Sequence, residues 1–154
     1  MKPILYIPIG PSGSGKSTWA RDFQRLAPST DIIATDDIRL EVSGDANDQS
    51  QNMKVFEIAY ERVASALRNG HDVIFDATNL TYRYRKKLIR EARRFNTDFD
   101  VYIINFITSE EECIARQSLR ERKVPVDVIH RQFGAYQAPR SDEYRWKLDW
   151  PIDF

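Results

Sequence analysis

Residues 10–18 read GPSGSGKST and follow directly on the apolar run PILYIPI, residues 3–9. Residues 10–17 satisfy G-x-x-x-x-G-K-[ST] without a mismatch, and they stand where the pattern has physical meaning, behind a strand and opening a helix. Glycines let such a turn curl until several backbone N–H groups point into one concavity. The helix that follows adds the positive end of its dipole. The spacing therefore predicts a cradle for the phosphates of a nucleoside triphosphate, built by Gly10, Pro11, Ser12, Gly13, Ser14, Gly15, Lys16, Ser17 and Thr18. Lys16 is expected on the β- and γ-phosphates, in a catalytic role, and the Ser17 hydroxyl on Mg²⁺. A guanine-specific Asn/Thr-Lys-x-Asp segment is absent from the sequence, so ATP, or an unselected triphosphate, is the expected donor.

Outward from this turn, apolar runs alternate with helical patterns. ILYIPI (4–9), DIIA (31–34), DVIFD (72–76) and DVYIINF (100–106) read as strands. Between them, one helix carries Trp19, Ala20, Phe23 and Leu26 on one face, and another carries Met53, Phe56, Tyr60, Val63 and Leu67. A third, strongly basic helix is expected to turn Leu88, Ile89, Ala92 and Phe95 inward. Ser109 and Glu112 make a capping box at the next helix start, and EVSGDANDQS (41–50) is the expected mobile loop. Strand and helix taking turns predicts an α/β fold, a parallel sheet with helices on both faces. With the cradle, the expected fold is that of a P-loop NTPase or kinase.

The 154 residues fit one domain, expected to span 1–154. Lysine plus arginine equals aspartate plus glutamate at 23 each, which argues against a protein that coats long nucleic acid but not against one that grips a strand end. A lone cysteine, Cys113, excludes an internal disulfide framework. No apolar stretch approaches membrane-spanning length and the N-terminus has no signal pattern, so a cytoplasmic protein without membrane contact is expected.

In open α/β sheets ligands gather at the carboxyl ends of the strands, and three further segments should meet the cradle there or close over it. TDDIR (35–39) follows the strand DIIA. A carboxylate there can accept the proton of an attacking hydroxyl, and Arg39 can hold an anionic part of the acceptor; a solvated turn with a helix cap would look the same. DATN (76–79) ends the strand DVIFD. Asp76 is placed to hold Mg²⁺ through water, while Thr78 and Asn79 either contact the acceptor or cap the next helix. In ARQSLRERKVP (115–125), Arg116 and Arg120 share a helical face and Arg122 follows. These arginines either stabilise charge on the transferring phosphoryl group from a lid or favour a helix end. The basic helix 81–95, with Arg83, Arg85, Lys86, Lys87, Arg90, Arg93 and Arg94, either guides a strand or is a solvated face. Trp146 and Trp150 are expected to pack on the core or on another subunit. His71 and His130 receive no role, and Cys113 reads as a small buried side chain.

GPSGSGKSTWARDF, TDDIR, DATNL and RQSLRERKVPVDVI, in this order, resemble the kinase domain of phage-type polynucleotide 5′-kinases, end-healing enzymes of nucleic-acid repair. The resemblance covers roughly residues 4–140. It implies a helical lid at about 113–127, Asp36 as general base for a 5′-hydroxyl, and Arg39 on the acceptor phosphate. It also implies a lid arginine on the donor phosphates and Val124 and Pro125 against the adenine. The family has one more residue between lid arginine and proline, which leaves Arg120 or Arg122 for the catalytic role; Arg120 is favoured, with Arg116 beside it. Asp76 stands one residue from the acid of the family. The implied partners are 5′-OH ends of DNA or RNA, separate ligase and phosphatase proteins, and optionally a second copy of the chain. A P-loop kinase of a small metabolite or nucleoside is the alternative, and a nucleotide-dependent binding module the third reading.

Overall fold

A computed structural model of the protein describes residues 1–152. Its elements run β1 (Ile4–Ile9), α1 (Lys16–Leu26), β2 (Asp31–Ala34), α2 (Thr35–Ser43), α3 (Asn52–Arg68) and β3 (Val73–Asp76). They continue α4 (Tyr82–Ala92), β4 (Asp100–Phe106), α5 (Glu110–Gln117), α6 (Val126–Ala135) and β5 (Trp146–Trp150). The sheet has the order β2-β3-β1-β4-β5, and every pairing is parallel.

Side chains alternate across a strand, and β1 shows what each face meets. Leu5, Ile7 and Ile9 are fully buried on one face; Leu5 and Ile7 share a core with Val55, Ala59 and Val63 of α3 and with Leu88 and Ala92 of α4. Tyr6 points the other way and meets Trp19 and Phe23 of α1, with the Tyr6 and Phe23 ring centroids 4.8 Å apart. Helices thus cover both faces, as the alternation predicts. Each large aliphatic side chain removed from water contributes about 1.5–3 kcal/mol, so the β1 row alone is a major part of the core. Among the described residues no helix is long and apolar enough to cross a membrane.

The structure corrects several expectations. TDD does not end β2 as a turn: Thr35 opens α2, which runs to Ser43 and takes the first three residues of the expected loop 41–50. Leu26 and Met53 are each 90% exposed. They sit in the last turn of α1 and the first turn of α3, where periodicity assigns a face that no neighbouring element reaches. Phe95 lies beyond the end of α4 and is exposed, with the Arg68 guanidinium 4.8 Å over its ring. The aromatic tail supplies an unforeseen fifth strand, in which Trp146 packs on Tyr102 of β4 with centroids 5.4 Å apart. Residues 153–154 of that tail lie outside the described residues.

Arg85, expected on a solvated or strand-guiding face, is fully buried and pairs with the equally buried Glu143 at 2.6 Å. Its other nitrogens donate to the Asn79 and Ala138 carbonyls. This anchors the segment leading to β5 against the loop after β3. Breaking such a pair leaves one uncompensated buried charge.

Candidate active site

β1 lies between β3 and β4, so the loops leaving these three strands converge at one end of the sheet. A cleft of about 1780 Å³ opens there, lined by residues 12–18, by Asp36, Asp37 and Arg39, by Asp76 and Thr78, and by the segment Arg120–Pro125. The segments singled out in the sequence do meet.

The cradle is tied together by its own bonds. Gly13 and Gly15 take φ of +85° and +107°, the left-handed region that only glycine adopts freely. The Lys16 Nζ donates to the Gly10 and Pro11 carbonyls at 2.6 and 2.9 Å. Burial lowers its pKa to about 8, offset in part by Asp76 and then Asp36. Ser17 Oγ donates to Asp76 Oδ2 at 2.7 Å. A hydroxyl and a carboxylate side by side at a phosphate cradle are the hard oxygen donors that Mg²⁺ takes. Both residues fit the expected ion, Asp76 directly or through water.

Three side chains from the second half of the chain brace this turn. Thr108, just after β4, donates to the Ser14 carbonyl at 2.8 Å. Gln132 of α6 accepts from the Ser12 N–H at 2.8 Å and donates back to the Ser12 hydroxyl. Arg116 donates to the Gly13 carbonyl at 2.9 Å and to Glu112. Arg116, expected among the phosphate ligands, lines the cleft and braces the main chain of the turn. Its α-helical pairing with Glu112 directs the guanidinium there. Thr108 and Gln132 carry no pattern in the sequence that could have marked them.

Across the cleft, Asp36 stands at the start of α2, where the helix dipole favours its negative charge. Arg39, one turn on and buried, donates to Asp36 Oδ1 at 2.8 Å and doubly to Asn52 Oδ1. Arg122 donates to Asp36 Oδ2 and, at 2.6 Å, to Asn47 of the loop 44–51. Arg122, expected on donor phosphates, reaches across the cleft to a carboxylate here. Asp37 beside it has its carboxyl raised above the ordinary range, first by burial and then by Asp76 and Asp36.

Among the described residues Arg120 is the lid arginine without a carboxylate partner, touching only Gln117 Oε1. Burial, followed by the charge of Arg122, lowers its pKa. A guanidinium held short of neutralisation is available to an incoming anion. Val124 is buried with Cys113 and Ile129, and Pro125 precedes α6 as its cap residue.

One expectation changes. Asn79 is buried at φ +51° and its amide nitrogen lies within hydrogen-bond distance of the Pro8, Phe75 and Ala77 carbonyls. It stitches the loop after β3 to β1 instead of contacting an acceptor or capping α4, which Thr81 caps. Thr78 lines the cleft, and its carbonyl accepts the Gly10 N–H at 3.1 Å. The buried Cys113 has its thiol pushed up by burial, the opposite of an activated nucleophile.

Known proteins show the same frame. A chain in the Pnkp1/Rnl/Hen1 RNA repair complex superposes with a TM-score of 0.76 at 27% identity, over 86% of this chain and 43% of that one. This chain therefore spans less than half of that relative's length. A gluconokinase from Sinorhizobium meliloti matches with a TM-score of 0.65 at 21% identity, over 99% and 85% of the two chains. A fungal RNA kinase matches with 0.68 at 19%, over 97% and 38%. The last two likenesses are of fold alone. No curated protein matches the sequence. A family model described as an AAA domain, AAA_33, matches residues 5–141, nearly the whole frame from β1 through α6, and the chain with its P-loop kinase-like fold belongs to that family.

Proposed function

We propose that the protein is a polynucleotide 5′-hydroxyl kinase, moving the γ-phosphate of ATP to the 5′-OH end of DNA or RNA. One observation carries the reading: Asp36, fixed by Arg39, faces the phosphate cradle across a wide cleft. A nucleotide-binding module has no use for that pair. The likeness to the RNA repair chain supports a polynucleotide acceptor over a small metabolite. Residues 113–127 act as a lid of one kinase domain.

In the proposed reaction, the acceptor hydroxyl displaces Arg122 from Asp36 Oδ2 and hydrogen-bonds there. Asp36 takes its proton as the oxygen bonds to the γ-phosphorus, the bond to the β-bridging oxygen breaks, and ADP leaves. Lys16 exchanges its two carbonyl partners for phosphate oxygens and, with Arg120, holds the charge spread over the transferring group. Mg²⁺ between Ser17 and Asp76 would neutralise further charge on the phosphates. Arg39 keeps Asp36 oriented and offers its outer edge to an acceptor anion. Positioning and electrostatics carry the rate, with no covalent intermediate.

The test is transfer of label from γ-labelled ATP to matched 5′-OH DNA and RNA oligonucleotides, with a free nucleoside and the Asp36→Asn protein in parallel. Labelled ends that vanish in the variant support the proposal. Label on the nucleoside alone moves the protein to the small-molecule kinases.

A further inference from the structure

Gln117, the last residue of α5, is buried and uses both ends of its carboxamide. Nε2 donates to the Cys113 carbonyl at 3.0 Å. Oε1 accepts twice, from the Val124 backbone N–H at 3.0 Å and from Arg120 Nη1 at 3.3 Å. The same side chain touches the cradle: a Cβ on Gly13 would lie 2.7 Å from Gln117 Nε2 and 2.8 Å from the Cys113 carbonyl. Packed beside the phosphate turn, one carboxamide therefore joins the end of α5, the backbone of the lid loop and the lid arginine that has no carboxylate partner.

We infer that Gln117 is a positioning residue for phosphoryl transfer, setting Arg120 against the transferring group by tying the lid loop to the end of α5 where that helix packs on the phosphate cradle. Arginine on a loop has many rotamers, and a charge stabilises a transition state only where it is already aimed. Gln117 supplies the aim. Its oxygen accepts from Arg120 without cancelling the charge, as a carboxylate would, and the bond to Val124 N–H fixes the loop on which Arg120 rides. Arg122, which has two partners across the cleft, has no tie to the cradle.

The inference rests on the kinase reading but not on the acceptor, so its test includes a reaction without one. The γ-phosphate release from MgATP is measured to water and, separately, to a 5′-OH oligonucleotide, for Gln117→Met, Gln117→Glu, Arg120→Ala and Gln117→Met/Arg120→Ala. Loss of one hydrogen bond to a charged group predicts a fall in kcat of about 10- to 100-fold for Gln117→Met, with the KM for ATP within about twofold. Gln117→Glu keeps an oxygen for Val124 and Arg120 but loses the donor to Cys113 and adds a carboxylate that cancels the arginine's charge, so it should be at least as slow as Gln117→Met. The double variant should be no slower than Arg120→Ala, because the carboxamide acts through that arginine. Losses that multiply in the double variant, or an unchanged kcat in Gln117→Met, overturn the inference. Should Gln117→Met melt early, Gln117→Asn, which withdraws the same carboxamide by one methylene, is judged by the same cycle. Coupling seen in hydrolysis with no label on any oligonucleotide would leave Gln117 in place and remove only the polynucleotide acceptor.

Discussion

The two walls of the cleft are held by different means. The donor wall is a backbone structure: left-handed glycines, a helix N-terminus, and braces from Thr108, Gln132 and Arg116 that bond main-chain atoms of the turn. The acceptor wall is a chain of side-chain pairs from Asn52 through Arg39, Asp36 and Arg122 to Asn47. A backbone cradle suits phosphates, which every donor shares. In the proposed reaction Arg122 leaves Asp36 when a hydroxyl arrives, and exchangeable side-chain pairs suit such a wall. The contrast places rigidity where the ligand is invariant and rearrangement where chemistry begins.

The largest expected effect lies on the acceptor wall. Asp36→Asn should lower transfer by about 10²- to 10⁴-fold while equilibrium binding of an ATP analogue stays nearly unchanged. Equal loss of both would erase the division between the walls. Arg85→Met, far from either ligand, should destabilise the fold by about 3–5 kcal/mol, read from denaturant unfolding, because Glu143 is left buried and unpaired. A shift below about 1 kcal/mol would mean that the segment before β5 is held by other contacts. Arg39→Ala should raise the acceptor KM by about tenfold and leave the KM for ATP alone; a matching rise in both would show that the walls are not separable.

The smallest effect belongs to the donor wall and is one of proton balance. Lys16 has its pKa lowered to about 8 in the folded protein, so near pH 8 part of its proton has been shed. Phosphate charge favours the ammonium, and MgATP binding near that pH should take up a fraction of a proton. Calorimetry in two buffers of different ionisation enthalpy reads it; uptake attributable to Lys16 should vanish by about pH 6, and release near pH 8 would contradict the sign. The same shift works on stability. The unfolded chain holds this proton up to the ordinary value of 10.5, so the Lys16 contribution to stability rises with pH between about 8 and that value.

Much of this was legible because the interactions are local. Gly13, Gly15, Lys16 and Ser17 do their work within one turn, so their spacing carries the geometry with it. The strands β1, β3 and β4 announce themselves as short apolar runs. Asp36 and Arg39 are one helical turn apart, and their bond follows from that spacing once α2 is seen to start at Thr35. Asn79 and Arg85 were misread because a polar side chain looks the same in sequence whether it meets solvent, a ligand or a buried carbonyl. The fifth strand was missed because WKLDW, unlike the shorter DIIA, is too polar to read as buried, and it is only partly so: Trp146 keeps 45% of its surface exposed.

The sequence alone determined the phosphate cradle, the alternation that makes a parallel sheet, and the residue types able to accept a proton or hold an anion. These depend on backbone conformation and period, which neighbouring residues set. Tertiary structure decided the rest: that Arg122 crosses to Asp36, that Arg116 bonds the Gly13 carbonyl of the cradle, that Arg85 is sealed against Glu143, and that Gln117 bonds Arg120. Each of those contacts joins residues whose partners are chosen by how the helices lie on the sheet, and a guanidinium on a flexible stem takes whichever carboxylate or carbonyl the packing brings within reach.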